Sequence, residues 1–478
     1  MSIMNRRDFL STMAAAGMTG LLSRPDPAYA EDGIQSPILS ESDQVFLASQ
    51  ARAILDRAGL LPGQSNGKWR NDTPYAVHVP GGNMGYPAFW VRDAVMMLES
   101  DFISLPELEG WIRLIASLVR NRDWNVRPGV MVPAFAVPDH VNLDGKACFY
   151  PGSYETGSKQ GGKPWGKYPP LDDQFYFIFA VYHHWRMSGS TDLFRSPIKT
   201  AFGEMQLSEL CERIYRMAPS DAETQLCTAG DVDSENAKDF GFCDSVSKSG
   251  KLLFPSILKF VAAGRIAELF SAAGVEEKAT AFRVDARKIK AAIPKVFLHL
   301  ASDGKEAWLD SATEVGHQAD VWGSAYAVYS DAVDPATAHK LSCALIRAYR
   351  EKTAVREGCV RSLLSNDAAN RNGWQNTVSP LGVYQNGGFW GTPVGWYLVA
   401  MYRSDQVAAA EMASDYLGFL RKNRRPDGLS QAWEWFNPDT GKTANPLYVA
   451  TVALPYGCLR AAGLTGEQKQ RFRRDKDV

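Results

Sequence analysis

The sequence predicts an all-α fold, a closed ring of six helical hairpins with long loops and minor β-structure gathered on one face. Three observations carry this. Helical periodicity dominates the chain beyond about residue 40. The connections between helices alternate between short and long. Each long connection ends in a cluster of aromatic, acidic and amide residues just ahead of a helix.

Apolar residues at helical spacing place twelve helices near 42–59, 88–103, 106–120, 172–188, 191–217, 254–273, 275–297, 317–331, 335–351, 389–403, 406–422 and 446–464. In the stretch 335–351, opened by Asp334-Pro335, the residues Ala338, Leu341, Ala344, Leu345 and Tyr349 form one stripe. The second and third, fourth and fifth, sixth and seventh, eighth and ninth, and tenth and eleventh helices are joined by a few residues each. Such links force antiparallel neighbours. The connections 60–87, 121–171, 218–253, 298–316, 352–388 and 423–445 are long. In an up-down ring that alternation puts every long loop on the same face, and loops beyond about 12–15 residues are uncommon unless they serve a function. Twelve helices also suit an open solenoid, but the chain shows no internal period and its long loops differ from one another. No Pro- or Ser-rich linker divides residues 31–478, which are expected to form one domain.

Residues 1–30 have the layout of a twin-arginine signal peptide. Arg6-Arg7 precede a short apolar run from Ser11 to Leu22, and Ala28-Tyr29-Ala30 supplies a small-x-small cleavage pattern ending at Ala30. The run is too short to span a bilayer, which takes about 20 residues. The expected partner at this stage is the twin-arginine translocase, and the expected location of the mature chain is periplasmic or secreted, with no membrane span. Apolar residues make up 45%, charged residues 22%, and the formal net charge is −1. With no basic stripe, nucleic acid is not an expected partner. The seven cysteines form no C-x-x-C pair, which argues against a zinc site or thiol catalysis and leaves any disulfide pairing open. No metal or other cofactor is expected.

The six clusters carry the chemistry. In order they are Gly85-Tyr86-Pro87-Ala88-Phe89-Trp90-Val91-Arg92-Asp93, Tyr168-Pro169-Pro170-Leu171-Asp172-Asp173-Gln174, Glu235-x-x-x-Asp239-Phe240 with Asp244, Gly316-His317-Gln318-Ala319-Asp320-Val321-Trp322, Tyr384-Gln385-Asn386-Gly387-Gly388-Phe389-Trp390, and Trp433-Glu434-Trp435-Phe436-Asn437-Pro438-Asp439-Thr440-Gly441. An acidic residue at a helix start is ordinarily a cap. Six clusters of one vocabulary are harder to explain as caps alone. Aromatic faces stack on the C–H faces of sugars, while Asp, Asn, Gln and Arg bracket hydroxyls. Cleaving a glycosidic bond needs one protonated carboxyl at the leaving oxygen and a second, ionised one to activate water or attack the sugar.

On these motifs the chain resembles the six-hairpin (α/α)6-barrel glycosidases, nearest to the trehalase, processing α-glucosidase and glucoamylase-like group. Glu235-x-x-x-Asp239-Phe240 resembles the segment carrying that group's general acid, and Glu434 before an aromatic and Asn437-Pro438 resembles its general base. Trp90-x-Arg92-Asp93 resembles its sugar-binding W-x-R-D, and Tyr384-Gln385-Asn386-Gly387-Gly388-x-Trp390 its Asn-Gly-Trp element. Ala237-Lys238 stands where the group carries Gly-Trp, and the loop 131–171, with Pro138-Asp139-His140, has no counterpart.

The resemblance implies a glycoside hydrolase acting on an oligo- or polysaccharide with inversion, Asp239 being the general acid and Glu434 the general base. Asp244 and Glu235 compete with Asp239 for the acid role. Trp90, Arg92, Asp93, Asp172, Asp173, Gln174, Asp244, His317, Trp322, Gln385, Asn386, Trp390 and Trp433 are the expected substrate-binding residues. Trp322 and Trp390 read equally as wedges between helices. A polysaccharide lyase, a phosphorylase or an epimerase on the same barrel, or a non-catalytic sugar-binding protein, are the alternatives.

Overall fold

The computed structural model describes residues 37–82, 85–127, 130–149, 172–230, 245–301 and 304–465. The signal segment, Asp239 and Asp244 lie outside them. Among the described residues there are thirteen α-helices: α1 (Glu41–Ala58), α2 (Val91–Met97), α3 (Leu105–Leu118), α4 (Asp173–Ser188), α5 (Asp192–Arg195), α6 (Leu207–Met217), α7 (Leu253–Ala272), α8 (Glu276–Phe297), α9 (Val321–Tyr329), α10 (Pro335–Arg350), α11 (Val394–Tyr402), α12 (Gln406–Lys422) and α13 (Ala450–Ala461).

Six of them close an inner ring. Helices α2, α4, α7, α9, α11 and α13 each pack on the next, and α13 returns to α2. They are apolar on nearly every side, as helices enclosed by other helices must be. All nine residues of α11 are buried, as are eight of the nine in α9. The outer helices α1, α3, α6, α8, α10 and α12 show one buried stripe each, such as Ala338, Leu341, Ala344 and Leu345 on α10. Helix α1 packs on α13, and the Ile38 amide donates to the Leu464 carbonyl at 3.1 Å, so the two ends of the described chain close the ring. The fold is therefore the closed barrel of six hairpins that the alternating connections predict.

Tight turns reverse each hairpin. Gly274, with φ +79°, links α7 to α8, while Asp101 and Asp331, with φ +58° and +55°, turn the chain after α2 and α9. Inner helices α2, α7, α9 and α11 are each followed closely by an outer helix, α4 reaches α6 through α5 and a β-hairpin, and α1 at the start packs on α13, so all six inner helices run in the same direction. Their N-termini meet the long loops at one face. Backbone hydrogen bonds lace those loops together: Asp72 to Leu143 (2.7 Å), Gly82 to Leu447 (3.0 Å), Ser249 to Val315 (3.1 Å), Ser247 to Asn376 (2.8 Å), Val321 to Ser362 (3.1 Å) and Phe389 to Phe436 (2.8 Å). Among the described residues the strands form two-stranded pairs and one three-stranded sheet of Ala88–Trp90, His140–Asn142 and Ala147–Cys148.

Some expected elements differ. The helix expected over 191–217 is three elements: α5, a hairpin of Pro197–Thr200 with Gly203–Gln206, and α6. Pro197 stops the first helix, and Gly203, with φ +99°, takes a conformation no helix accepts. The helix expected over 389–403 begins only at Val394, because Phe389 and Trp390 pair as extended backbone with Phe436 and Val360. The same shortening turns 88–103 into strand Ala88–Trp90, helix α2 and a 3-10 turn at Leu98–Ser100. No disulfide joins the six described cysteines. No helix among the described residues is long and apolar enough to cross a membrane.

At the end of the ring away from the long loops, Glu99 faces His183 Nε2 at 3.5 Å and Arg265 Nη2 at 3.6 Å. Burial opposes its charge, but the interactions with His183 and Arg265 prevail and hold its carboxyl down at about 2.

Candidate active site

Glu434 is placed by its own stretch of sequence. Asn437-Pro438-Asp439-Thr440-Gly441 folds as the turn its composition predicts, with Asn437 Oδ1 accepting from the Asp439 and Thr440 amides at 2.9 and 3.3 Å. That turn joins strand Trp435–Asn437 to Lys442–Ala444, which brings Asn445 back beside Glu434. Asn445 Nδ2 donates to Glu434 Oε2 at 2.5 Å and the Tyr86 hydroxyl donates to the same oxygen at 2.8 Å. Asn445 Nδ2 also lies 2.8 Å from the Tyr86 oxygen, which closes a three-membered network. Three non-glycine residues of this loop take positive φ: Ala432 (+40°), Asn445 (+43°) and Leu447 (+60°). Such backbone costs about 1–3 kcal/mol per residue and persists only where surrounding bonds hold it. Here the Leu447 and Tyr448 amides donate to Gln431 and Ala432.

A second group adjoins this one. The Tyr86 ring meets Trp90 edge-on at 5.3 Å, and Trp90 stacks on His140 at 4.5 Å. His140 Nδ1 lies 2.6 Å from Asp139, and Arg92 lies 2.8 Å from Asp172 and 3.9 Å from Asp139. The Tyr448 hydroxyl donates to Asp93, and its ring lies 6.2 Å from that of Tyr86. Burial raises the Asp93 carboxyl, against the pull of Arg92. Asp173 is pushed well above the usual carboxylate range, by burial first and then by Asp172 and Asp139. Both Asp173 oxygens and both polar atoms of the Gln174 amide are buried with no hydrogen-bond partner. An orphaned buried polar group costs on the order of 1–3 kcal/mol, so this arrangement is expensive for the fold alone.

Capping does not account for these carboxyls. Of the acidic residues opening inner helices, Asp320 does cap, accepting from the Gly323 amide at 2.7 Å. Asp172 stands at the cap position of α4 but makes no cap bond and holds Arg92 instead.

Trp90, Arg92, Asp93, Asp172, Asp173 and Glu434 are thus drawn into one neighbourhood. The other expected residues lie around or beneath it. Trp390 is buried between Tyr384, Tyr448 and Trp322, and Trp322 is buried with its indole N–H toward the Val360 carbonyl. Both act as wedges rather than as open stacking faces. Asn386 spends its amide on the Trp374 amide and the Ser379 carbonyl, and Gln385 accepts from the Ser245 amide, so both brace loops. The Trp433 ring packs on Phe419 and Phe436. His317 is exposed at 62% and bonds Asp310 at 2.9 Å, with no contact to the cluster among the described residues.

The sequence reading missed Tyr86, Asp139, His140, Asn445 and Tyr448. Tyr86 lies in the first aromatic-acidic cluster and Asp139 and His140 in Pro138-Asp139-His140, but neither stretch by itself assigns them a role. Asn445 and Tyr448 carry no local signal, because their partners come from other loops.

No protein-family model matches the sequence, and no curated protein matches it. Solved structures share the fold. A glucoamylase from Saccharomycopsis fibuligera aligns over 92% of this chain and 100% of its own, with TM-score 0.56 and 12% identity. A glucoamylase of Hormoconis resinae aligns over 88% of this chain and 74% of its own, with TM-score 0.55 and 15% identity. A Streptococcus pneumoniae protein, from a family of metal-independent α-mannosidases, aligns over 88% and 94%, with TM-score 0.54 and 12% identity. What this chain shares with them is the fold, an (α/α)6 barrel of six helical hairpins.

Proposed function

We propose that this chain is a glycoside hydrolase that cleaves an oligo- or polysaccharide with inversion. The observation that carries it is Glu434, held by Tyr86 and Asn445 at the loop end of the barrel beside the Arg92, Asp93 and Asp172 cluster. In this reading Glu434 takes a proton from the attacking water. Both donors bind one oxygen, Oε2, and fix the carboxylate's orientation. Arg92 and Asp93 grip the glycone, and Asp239, or Asp244 as its competitor, protonates the departing oxygen from the opposite side. Inversion asks for about 6.5–9.5 Å between the two carboxyls, enough for a water. Residues 1–30 direct twin-arginine export, leaving residues 31–478 as a periplasmic or secreted catalytic domain.

The test is turnover of α- and β-glucosides, mannosides and uronide-containing oligosaccharides, with the product anomer followed by NMR. Wild type should release a sugar of inverted configuration, and Asp239→Asn and Glu434→Gln should each lower kcat about 10²–10⁴-fold. Near wild-type turnover in either variant would remove that residue from its role, and retention of configuration would replace the mechanism.

A further inference from the structure

Four buried carboxyls, Asp93, Asp139, Asp172 and Asp173, crowd the loop end of the inner ring. Three have answers: Tyr448 for Asp93, His140 for Asp139, and Arg92 for Asp172. Asp173 feels the charge of Arg92 but has no hydrogen-bond partner, although it is fully buried and opens the sixteen-residue inner helix α4. Gln174, the next residue, is fully buried too, and its amide oxygen and nitrogen also lack partners. Buried polar groups in folded proteins are nearly always hydrogen-bonded. Four orphaned atoms on two successive residues, beside the acidic network, mark a place where a ligand supplies the partners.

We propose that Asp173 and Gln174 hydrogen-bond the glycone, and that Asp173 makes the site select an uncharged or amino-bearing sugar against a uronic acid. This rests on the glycosidase reading and assigns its specificity. Ionised together, the four carboxyls would set four negative charges against the single guanidinium of Arg92, without water to screen them. Asp173 relieves the excess by keeping its proton. A carboxylic acid both donates and accepts, and so does the Gln174 amide. A sugar hydroxyl does the same, so the two side chains match a pair of hydroxyls without adding charge. A uronate would bring a further negative charge into this acidic neighbourhood. A protonated amino sugar would offset it.

The experiment compares the mature chain with Asp173→Ala and Asp173→Asn on matched neutral glycosides and glycuronides. It also follows calorimetric binding of the neutral monosaccharide, its 2-amino analogue and its uronic acid. Wild type should prefer the neutral glycoside by about 100-fold in kcat/KM. Asp173→Ala should raise KM about tenfold with kcat within about threefold. Asp173→Asn keeps a donor and an acceptor, so it should fall between the two and serves also if the alanine variant does not fold. Equal turnover of the glycuronide, or an unchanged KM in a folded Asp173→Ala protein, overturns the proposal. Should no glycoside be cleaved, the hydrolase reading fails by itself, and binding decides the matter: retention of the uronic acid as tightly as the neutral sugar overturns the Asp173 assignment, and its exclusion upholds it.

Discussion

The hydroxyl of Tyr86 and the carboxylate of Glu434 stand 2.8 Å apart across 348 positions of chain. One belongs to the loop before the first inner helix and the other to the loop before the last. They meet because the ring closes α13 against α2.

Tyr86→Phe removes the donor to Glu434 and the acceptor facing Asn445 while leaving the ring in place against Trp90. Turnover should fall about 10–100-fold with KM changed much less, because the hydroxyl orients the base rather than the sugar. Steady-state kinetics on the best substrate checks this, and a rise in KM alone would assign the hydroxyl to sugar binding.

Glu434→Gln should keep the fold and retain sugar binding while it loses turnover. The amide preserves the side chain's shape but cannot take a proton from water. Thermal unfolding and calorimetric sugar binding separate this outcome from simple misfolding, which would lower both Tm and affinity.

Glu99→Gln tests the charged cluster at the far end of the ring. The folded-state carboxyl, at about 2, lies below its usual value of 4.5, so it stabilises the protein above pH 4.5 and that contribution disappears as pH falls through about 2. The variant should be less stable by roughly 2–3 kcal/mol at pH 7, with the difference vanishing toward pH 2. Denaturant titrations across that range would refute the idea if the gap were constant.

Gly457→Ala should destabilise the ring where α13 meets the turn after α2. A Cβ at this position would lie 2.2 Å from the carbonyl carbon and oxygen of Glu99, backbone atoms that cannot swing away. Overpacking of this kind costs on the order of 1–3 kcal/mol. A Tm equal to that of wild type would show that the two segments do not approach so closely.

Much of the barrel is legible in the sequence because its cause is local. Helix α12 starts and stops where its apolar spacing says, and the Asp334-Pro335 opening fixes α10. The alternation of short and long connections suffices to put the loops on one face. The failures have local causes as well: Pro197 and Gly203 break 191–217, and backbone pairing claims Phe389 and Trp390 before α11 can begin.

The site divides differently. The sequence by itself determined that Glu434 precedes a hairpin turn and that Arg92 and Asp93 open a helix, since turn chemistry and periodicity reach only a few residues. Tertiary structure alone decided that Asp172 binds Arg92 instead of capping its own helix, that Trp322 is walled into the core, and that Tyr86 and Asn445 converge on one carboxylate oxygen. Those pairings depend on ring closure bringing remote loops within hydrogen-bond range, a distance that no periodicity encodes.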